Sequence, residues 1–326
     1  MTLRVTLACG ATDRTLPLIL GDVRPRGIEL TFLRMYPEEV FWRMTRHAEF
    51  DAAEMSLSSY ILRRSRGDDA VLAIPVFTSR EFRHSCVWVR ADSGIDEPKD
   101  LKGKRMGVPE YQMTAAVWIR GFLNDDYGVA PADLEWYCGG LYQRGREEKL
   151  PINIPGVDIR VITAEQTLSQ MLHDGQLDAI MGPRPPSGFP GPGVRRLFDD
   201  FKTVEADYFA RTRVFPIMHT VVIRRDVLDR EPWVARSLYD AFCESKRRAM
   251  AELAEPVVLF TTLPWQIAEV ESTRALMGDD YWPYGVEPNR QALETLMRYS
   301  CEQGLAQRAI DIESLFANST LDDYRI

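Results

Sequence analysis

Short apolar runs of strand character alternate along this chain with segments of helical spacing. The runs are LRVTLAC (3–9), GIELTFLRM (27–35), FDAAEMS (50–56), VLAIPVF (71–77), CVWVR (86–90), RMGVP (105–109), DIRVIT (158–163) and LDAIMG (177–182). That alternation predicts an α/β chain with a mostly parallel sheet. In PEEVFWRMTRH (37–47), Val40, Phe41, Met44 and His47 fall at helical spacing behind Pro37, a favourable first-turn residue, so an amphipathic helix is expected there. A second helix opens at Pro232, with Val234, Leu238, Ala241, Phe242 and Ser245 on one face, and a third runs from Arg290 to a stop at Gly304. GPRPPSGFPGPG (182–193) is too dense in Pro and Gly for helix or central strand and must be loop; so stiff a loop inside a compact protein is often functional.

The length of 326 residues predicts about two domains, and 45% hydrophobic with 27% charged residues is globular composition. A net charge of −8, from 40 Lys+Arg against 48 Asp+Glu, disfavours general attraction to nucleic acid or an anionic membrane, while leaving room for a local basic pocket. Cys9, Cys86, Cys138, Cys243 and Cys301 are scattered and never in a CxxC pair, which suggests neither a disulfide framework nor a zinc site and fits a cytoplasmic protein. Arg4 interrupts the apolar start before Cys9, so the N-terminus reads as a strand rather than a signal peptide, and no stretch approaches the ~20 apolar residues of a membrane span. A soluble, unprocessed protein is expected, with homo-oligomerisation left open.

VRADSGIDEPKDLKGKRMGVPE (89–110), followed by TLSQMLHDGQLDAIMG (167–182), resembles the second lobe of type II periplasmic-binding-protein folds. The resemblance implies an α/β, two-lobed fold with a ligand cleft between the lobes. Lobe 1 would be discontinuous, 1–87 plus 222–326, and lobe 2 would span 88–221, with HTVVIRR (219–225) as the return crossing. FTSREFRHSCVWVR (77–90), GVPEYQMTAAVWIRGFL (107–123), FPIMHTVVIRRDV (215–227) and YWPYGVEPNR (281–290) together resemble the 4,5-dihydroxyphthalate decarboxylase family. That likeness spans nearly the whole chain. It implies a carboxy-lyase of aromatic degradation that converts a dihydroxylated phthalate to protocatechuate and CO2.

Decarboxylating an aromatic acid without an electron-sink cofactor requires protonation of the ring carbon that carries the carboxylate. In 4,5-dihydroxyphthalate each such carbon is para to a hydroxyl that enriches it. The site must therefore supply a proton donor, an acceptor for the phenol, cations for the remaining carboxylate, and apolar surface around the departing one.

The chain has four histidines. His173 ends a helix, where a cation suits the dipole, and His47 lies on the helix already described. His84 and His219 fall near the two inferred crossings and are the candidate catalytic acids. Around His84, the cluster Arg80, Arg83 and Ser85 suits a carboxylate, although alternation prevents all of them from reaching one ligand. Arg184 in the GPRPP loop and Arg213 are candidates for the second carboxylate. PEYQMT begins a helix, so its free backbone N–H groups and the Thr114 hydroxyl offer an anion site, and Glu110 could accept a phenolic proton or else form a salt bridge across the cleft. Tyr284, among the aromatics of YWPYG, would wall an aromatic ligand or pin the C-terminal lobe.

No cofactor is demanded. His84, His219 and Glu110 could make a two-His-one-carboxylate metal set, but no HxH or HExxH spacing supports it. Phosphate-loop and GxSxG signatures are absent, which removes nucleotide-dependent and serine-hydrolase readings. The rival function is a non-catalytic solute-binding protein for an aromatic dicarboxylate, which keeps the arginines and needs no acid.

Overall fold

The computed structural model describes residues 2–321. Eleven strands run in chain order as β1 (Leu3–Cys9), β2 (Ile28–Arg34), β3 (Ala52–Ser56), β4 (Val71–Arg80), β5 (Val87–Arg90), β6 (Arg105–Val108), β7 (Glu135–Cys138), β8 (Ile159–Val161), β9 (Ala179–Met181), β10 (Val194–Arg196) and β11 (Ile217–Arg224). Ten helices accompany them: α1 (Leu16–Leu20), α2 (Pro37–His47), α3 (Leu57–Ser65), α4 (Thr114–Tyr127), α5 (Leu168–His173), α6 (Phe201–Thr212), α7 (Arg225–Arg230), α8 (Trp233–Leu253), α9 (Gln266–Met277) and α10 (Arg290–Glu302).

The strands form two sheets, a five-stranded one in the order β2-β1-β3-β11-β4 and a six-stranded one in the order β10-β5-β9-β6-β7-β8. The chain leaves the first sheet at the end of β4, builds the whole second sheet, and returns through β11. This is an α/β, two-lobed periplasmic-binding-protein-like fold. Both sheets are mixed rather than mostly parallel. The pairs β1–β2, β1–β3, β6–β7, β6–β9 and β7–β8 are parallel, whereas β11 runs antiparallel to β3 and β4, and β5 antiparallel to β9 and β10. The antiparallel strands are those carrying the chain between lobes, and their direction cannot be read from their own apolar pattern.

Helix α2 begins at Pro37 and buries Val40, Phe41 and Met44, the stripe its spacing requires. Helix α4 is buried over most of its length, including Trp118, Ile119 and Phe122. Gly121 on that helix is a close-approach position: a Cβ there would lie 2.1 Å from the ring of Tyr299 on α10. The 182–193 segment is non-helical, ends in the short β10, and brings Arg184 to the cleft. Among the described residues, no helix is long and apolar enough to cross a membrane.

Candidate active site

The cleft cavity, about 200 Å³, is walled by both lobes. The side of the five-stranded sheet contributes Tyr36, Glu38 and Phe41 around the start of α2, Ser56 and Ser59 at the start of α3, and Met218 and His219 from β11. From the other side come Gln112, Met113, Thr114 and Ala115 at the start of α4, Lys149, and Pro183 with Arg184. Two helices therefore aim their first turns at one space. Ser56 caps α3 by accepting from Ser59 N, and its hydroxyl lies 2.8 Å from Thr114 Oγ1, which also accepts from Ser58 N at 3.1 Å. A ligand between these ends meets two positive helix termini.

His219 sits on this wall because of how β11 pairs. It lies opposite Ser56 of β3, and Val221 lies opposite Glu54, so Glu54, Ser56 and His219 share one face of the sheet. On its other edge, β11 shifts register against β4 on both sides of His219, an irregularity of the kind that re-aims side chains beside sites. The ring meets Phe41 edge-on at 4.7 Å, and Nδ1 lies 2.7 Å from Glu54 Oε1.

Glu54 is buried and saturated: Oε1 also accepts from Thr78 Oγ1 at 2.9 Å, and Oε2 accepts from Gly10 N at 2.8 Å and from Cys9 Sγ at 3.4 Å. Burial by itself would raise this carboxyl. The hydrogen bond and charge of His219, joined by Gly10 and Thr78, outweigh burial and hold it at about 2. With Nδ1 engaged by Glu54, Nε2 is the ring nitrogen that this contact leaves over, on a ring fixed in orientation.

Arg83 also lines the cavity and is buried among soft partners. Nε approaches Met218 Sδ at 3.3 Å and Nη1 approaches Cys86 Sγ at 3.6 Å, while Glu81 Oε2 lies 2.9 Å from Nη1. No hydrogen-bond partner engages Nη2 among the described residues, so the guanidinium keeps donors for an anion. Arg184 reaches across the cleft to the Tyr36 hydroxyl and to Glu38 Oε1 at 3.5 Å. Lys149 Nζ lies 2.5 Å from Glu110 Oε1.

Of the residues singled out in the sequence, the structure thus brings His219, Arg83, Thr114 and Arg184 to one cavity. The others lie elsewhere, each for a physical reason. His84 is the main correction. On the turn after β4 it points away from the cleft, stacks on Phe122 at 4.0 Å with Phe198 and Tyr208 at its edges, and leaves both ring nitrogens buried without a hydrogen-bond partner. Burial, then the charge of Arg211, pushes its pKa down to about 4, so near neutrality it is an uncharged packing residue.

Ser85, beside it, has its backbone N–H on Glu205 and its hydroxyl on Cys86 Sγ. Arg80 reaches over the hinge to the carbonyls of Phe215, at 3.0 Å, and Pro283, at 3.4 Å. Arg213 ends α6 in a left-handed conformation and lies over Phe209, in an outer groove. Tyr284 is buried with Lys246 over its ring and pins the C-terminal segment. Glu110 takes Arg146 at 2.9 Å through Nε, Lys149 and Gln112, which makes it the salt-bridge hub rather than an open acceptor. His84, His219 and Glu110 do not converge. Among the described residues no group of three or more His, Cys, Asp or Glu side chains is arranged to hold a metal ion.

Comparison with known proteins agrees with this architecture and adds a family. Residues 27–138 match the NMT1/THI5-like family model. The chain is 40% identical over 327 residues to the 4,5-dihydroxyphthalate decarboxylase of Comamonas testosteroni, covering 99% of each protein. The chain belongs to the 4,5-dihydroxyphthalate decarboxylase family. A second relative of that name, from Pseudomonas putida, is 44% identical over 211 residues, covering 64% of this chain and 81% of the relative. Among solved structures, the periplasmic aliphatic sulphonate binding protein SsuA of Escherichia coli superposes with a TM-score of 0.55 at 13% identity, covering 98% of this chain and 99% of SsuA. A protein of Archaeoglobus fulgidus gives 0.52 at 16% identity, covering 93% and 98% of the two chains. These structural likenesses show the shared fold.

For this member of the 4,5-dihydroxyphthalate decarboxylase family, sequence reasoning missed Glu54, Glu38, Lys149 and the Ser56–Ser59 turn. Glu54 had a signal: it is a lone acid inside the otherwise small and apolar strand AAEMS, where an ionisable group needs a partner. Lys149 had none, since it sits on a loop whose path is set by its contact with Glu110.

Proposed function

We propose that this chain decarboxylates 4,5-dihydroxyphthalate, or a closely related hydroxylated aromatic diacid, to protocatechuate and CO2, with His219 as the proton donor. The observation that carries this reading is a histidine held by a buried carboxylate on the wall of a cavity that is otherwise rich in cations and helix N-termini.

Arg83 and the first turn of α4 take the carboxylate that stays, and Lys149 and Arg184 supply further positive charge. Glu54 keeps Nδ1 engaged and the ring oriented, so Nε2 carries the proton toward the substrate ring. That proton adds to the ring carbon bearing the departing carboxylate. The bond between ring and carboxylate then breaks, its electron pair restores aromaticity, and neutral CO2 leaves. Phe41, Met113, Pro183 and Met218 give the departing group an apolar surround. The reaction takes up one proton per turnover and draws on no cofactor.

Purified protein incubated with 4,5-dihydroxyphthalate should release CO2 and protocatechuate in metal-free buffer. Ligand binding without product, in both metal-free and metal-supplemented buffer, would remove the enzymatic reading and leave a solute-binding role.

A further inference from the structure

We propose that Glu38 is the residue that reads the ring hydroxyls of the substrate, accepting their hydrogen bonds and so selecting a catechol diacid over an unhydroxylated one. This rests on the function proposed above and names a determinant of its specificity.

Glu38 is the one carboxylate among the described residues lining the cavity. A site that binds a dianion gains nothing from an anion on its wall, because the like charges repel, unless that anion accepts hydrogen from the ligand. Its position favours a carboxylate, since it follows Pro37 in the first turn of α2.

Its existing partners hold it loosely. Arg146 Nη1 lies 3.3 Å from Oε2 and Arg184 Nη2 lies 3.5 Å from Oε1, while Arg146 makes its closer contact, 2.9 Å from Nε, with Glu110. An ionised carboxylate offers about four lone-pair sites, so acceptor capacity remains. The competing cavity acceptors are committed. Ser56 Oγ and Thr114 Oγ1 are 2.8 Å apart, Ser59 Oγ donates to Gln112 Oε1 at 2.7 Å, and the Tyr36 hydroxyl accepts from Arg184. A ring whose carboxylates face Arg83 and the start of α4 has its hydroxyls at the opposite end, and Glu38 is the strong acceptor left for them.

The test compares binding of 4,5-dihydroxyphthalate and phthalate by titration calorimetry. The unaltered protein should prefer the dihydroxy compound by about 10–100-fold, the worth of hydrogen bonds to a charged acceptor. Glu38→Gln should shrink that ratio toward one, weakening the dihydroxy compound while leaving phthalate unchanged or tighter, because repulsion is gone. Glu38→Asp, which keeps the charge on a shorter stem, should retain a preference and guards against a variant that misfolds. Equal weakening of both ligands by Glu38→Gln would mean that Glu38 only ties the lobes together, and an unaltered ratio would mean that it reads nothing; either overturns the inference. Failure of the unaltered protein to bind either compound overturns the proposed function and this inference together, a result distinguishable from the first two.

Discussion

His219 and Glu54 stand 165 residues apart in the chain, yet Nδ1 of one lies 2.7 Å from Oε1 of the other. Neighbouring antiparallel strands place them on one face, and Thr78, Gly10 and Cys9 complete the carboxylate's partners so that it has no need of a ligand. The histidine proposed as the proton donor thus has a buried carboxylate in place beside it.

Replacing His219 by Asn is accordingly expected to lower kcat by about 10²–10⁴-fold, the usual contribution of a positioned acid, while substrate affinity changes little. Steady-state kinetics with a direct binding measurement separates the two, and an unchanged kcat would dismiss His219 as the donor.

Arg83→Ala should act on the other parameter. Loss of a charge-assisted hydrogen bond to a carboxylate corresponds to about 10–100-fold in KM. Arg83→Lys should recover only part of it, because an ammonium cannot reproduce the planar fork. If kcat alone fell, Arg83 would belong to the chemistry rather than to capture.

Acid stability should fall in two windows, with signs set by the two buried groups. His84 has a folded pKa of about 4 against an ordinary 6.5, so folding favours its neutral form. Its stabilisation is complete above about pH 6.5 and is lost as pH falls toward 4, on the order of 3 kcal/mol in all. Glu54, lowered from 4.5 to about 2, contributes stability that is present above about pH 4.5 and lost as pH falls through 2. Denaturant unfolding measured across pH should lose its upper window in His84→Phe. A midpoint still dropping between pH 6.5 and 4 in that variant would show that His84 is not its source.

Gly121→Ala tests the packing that supports the start of α4. The added methyl would lie 2.1 Å from the Tyr299 ring, which is itself held by Asp125 at 2.8 Å, so relief requires moving α10 or α4. A loss of about 1–3 kcal/mol in urea unfolding is expected. A neutral substitution would mean that the helices separate easily.

Much of this protein was legible along the chain. Alternation of strand and helix patterns gave the α/β class, the Pro37 helix ends where its apolar spacing ends, and the segments resembling the second lobe of binding proteins lie in the six-stranded sheet that is built between β4 and β11. Arg83, Thr114, Arg184 and His219 were recognisable because their motifs fall at crossings, a helix start and a stiff loop. Local periodicity and turn chemistry reach a few residues, and these features lie within that reach.

What local patterns could not decide was which way neighbouring side chains face once strands pair. Arg83 and His84 are adjacent, yet one enters the cleft and the other stacks on Phe122, because a turn between two sheets sends consecutive residues to opposite sides. For Glu110 the sequence left a phenol acceptor and a salt bridge both open, and the loop carrying Arg146 and Lys149 makes it the salt bridge; nothing along the chain marked Glu38, which meets Arg146 and Arg184 only in the folded protein. The sequence supplied the types of group this site contains; the contacts between distant segments determined which of them are already neutralised and which remain free to meet a ligand.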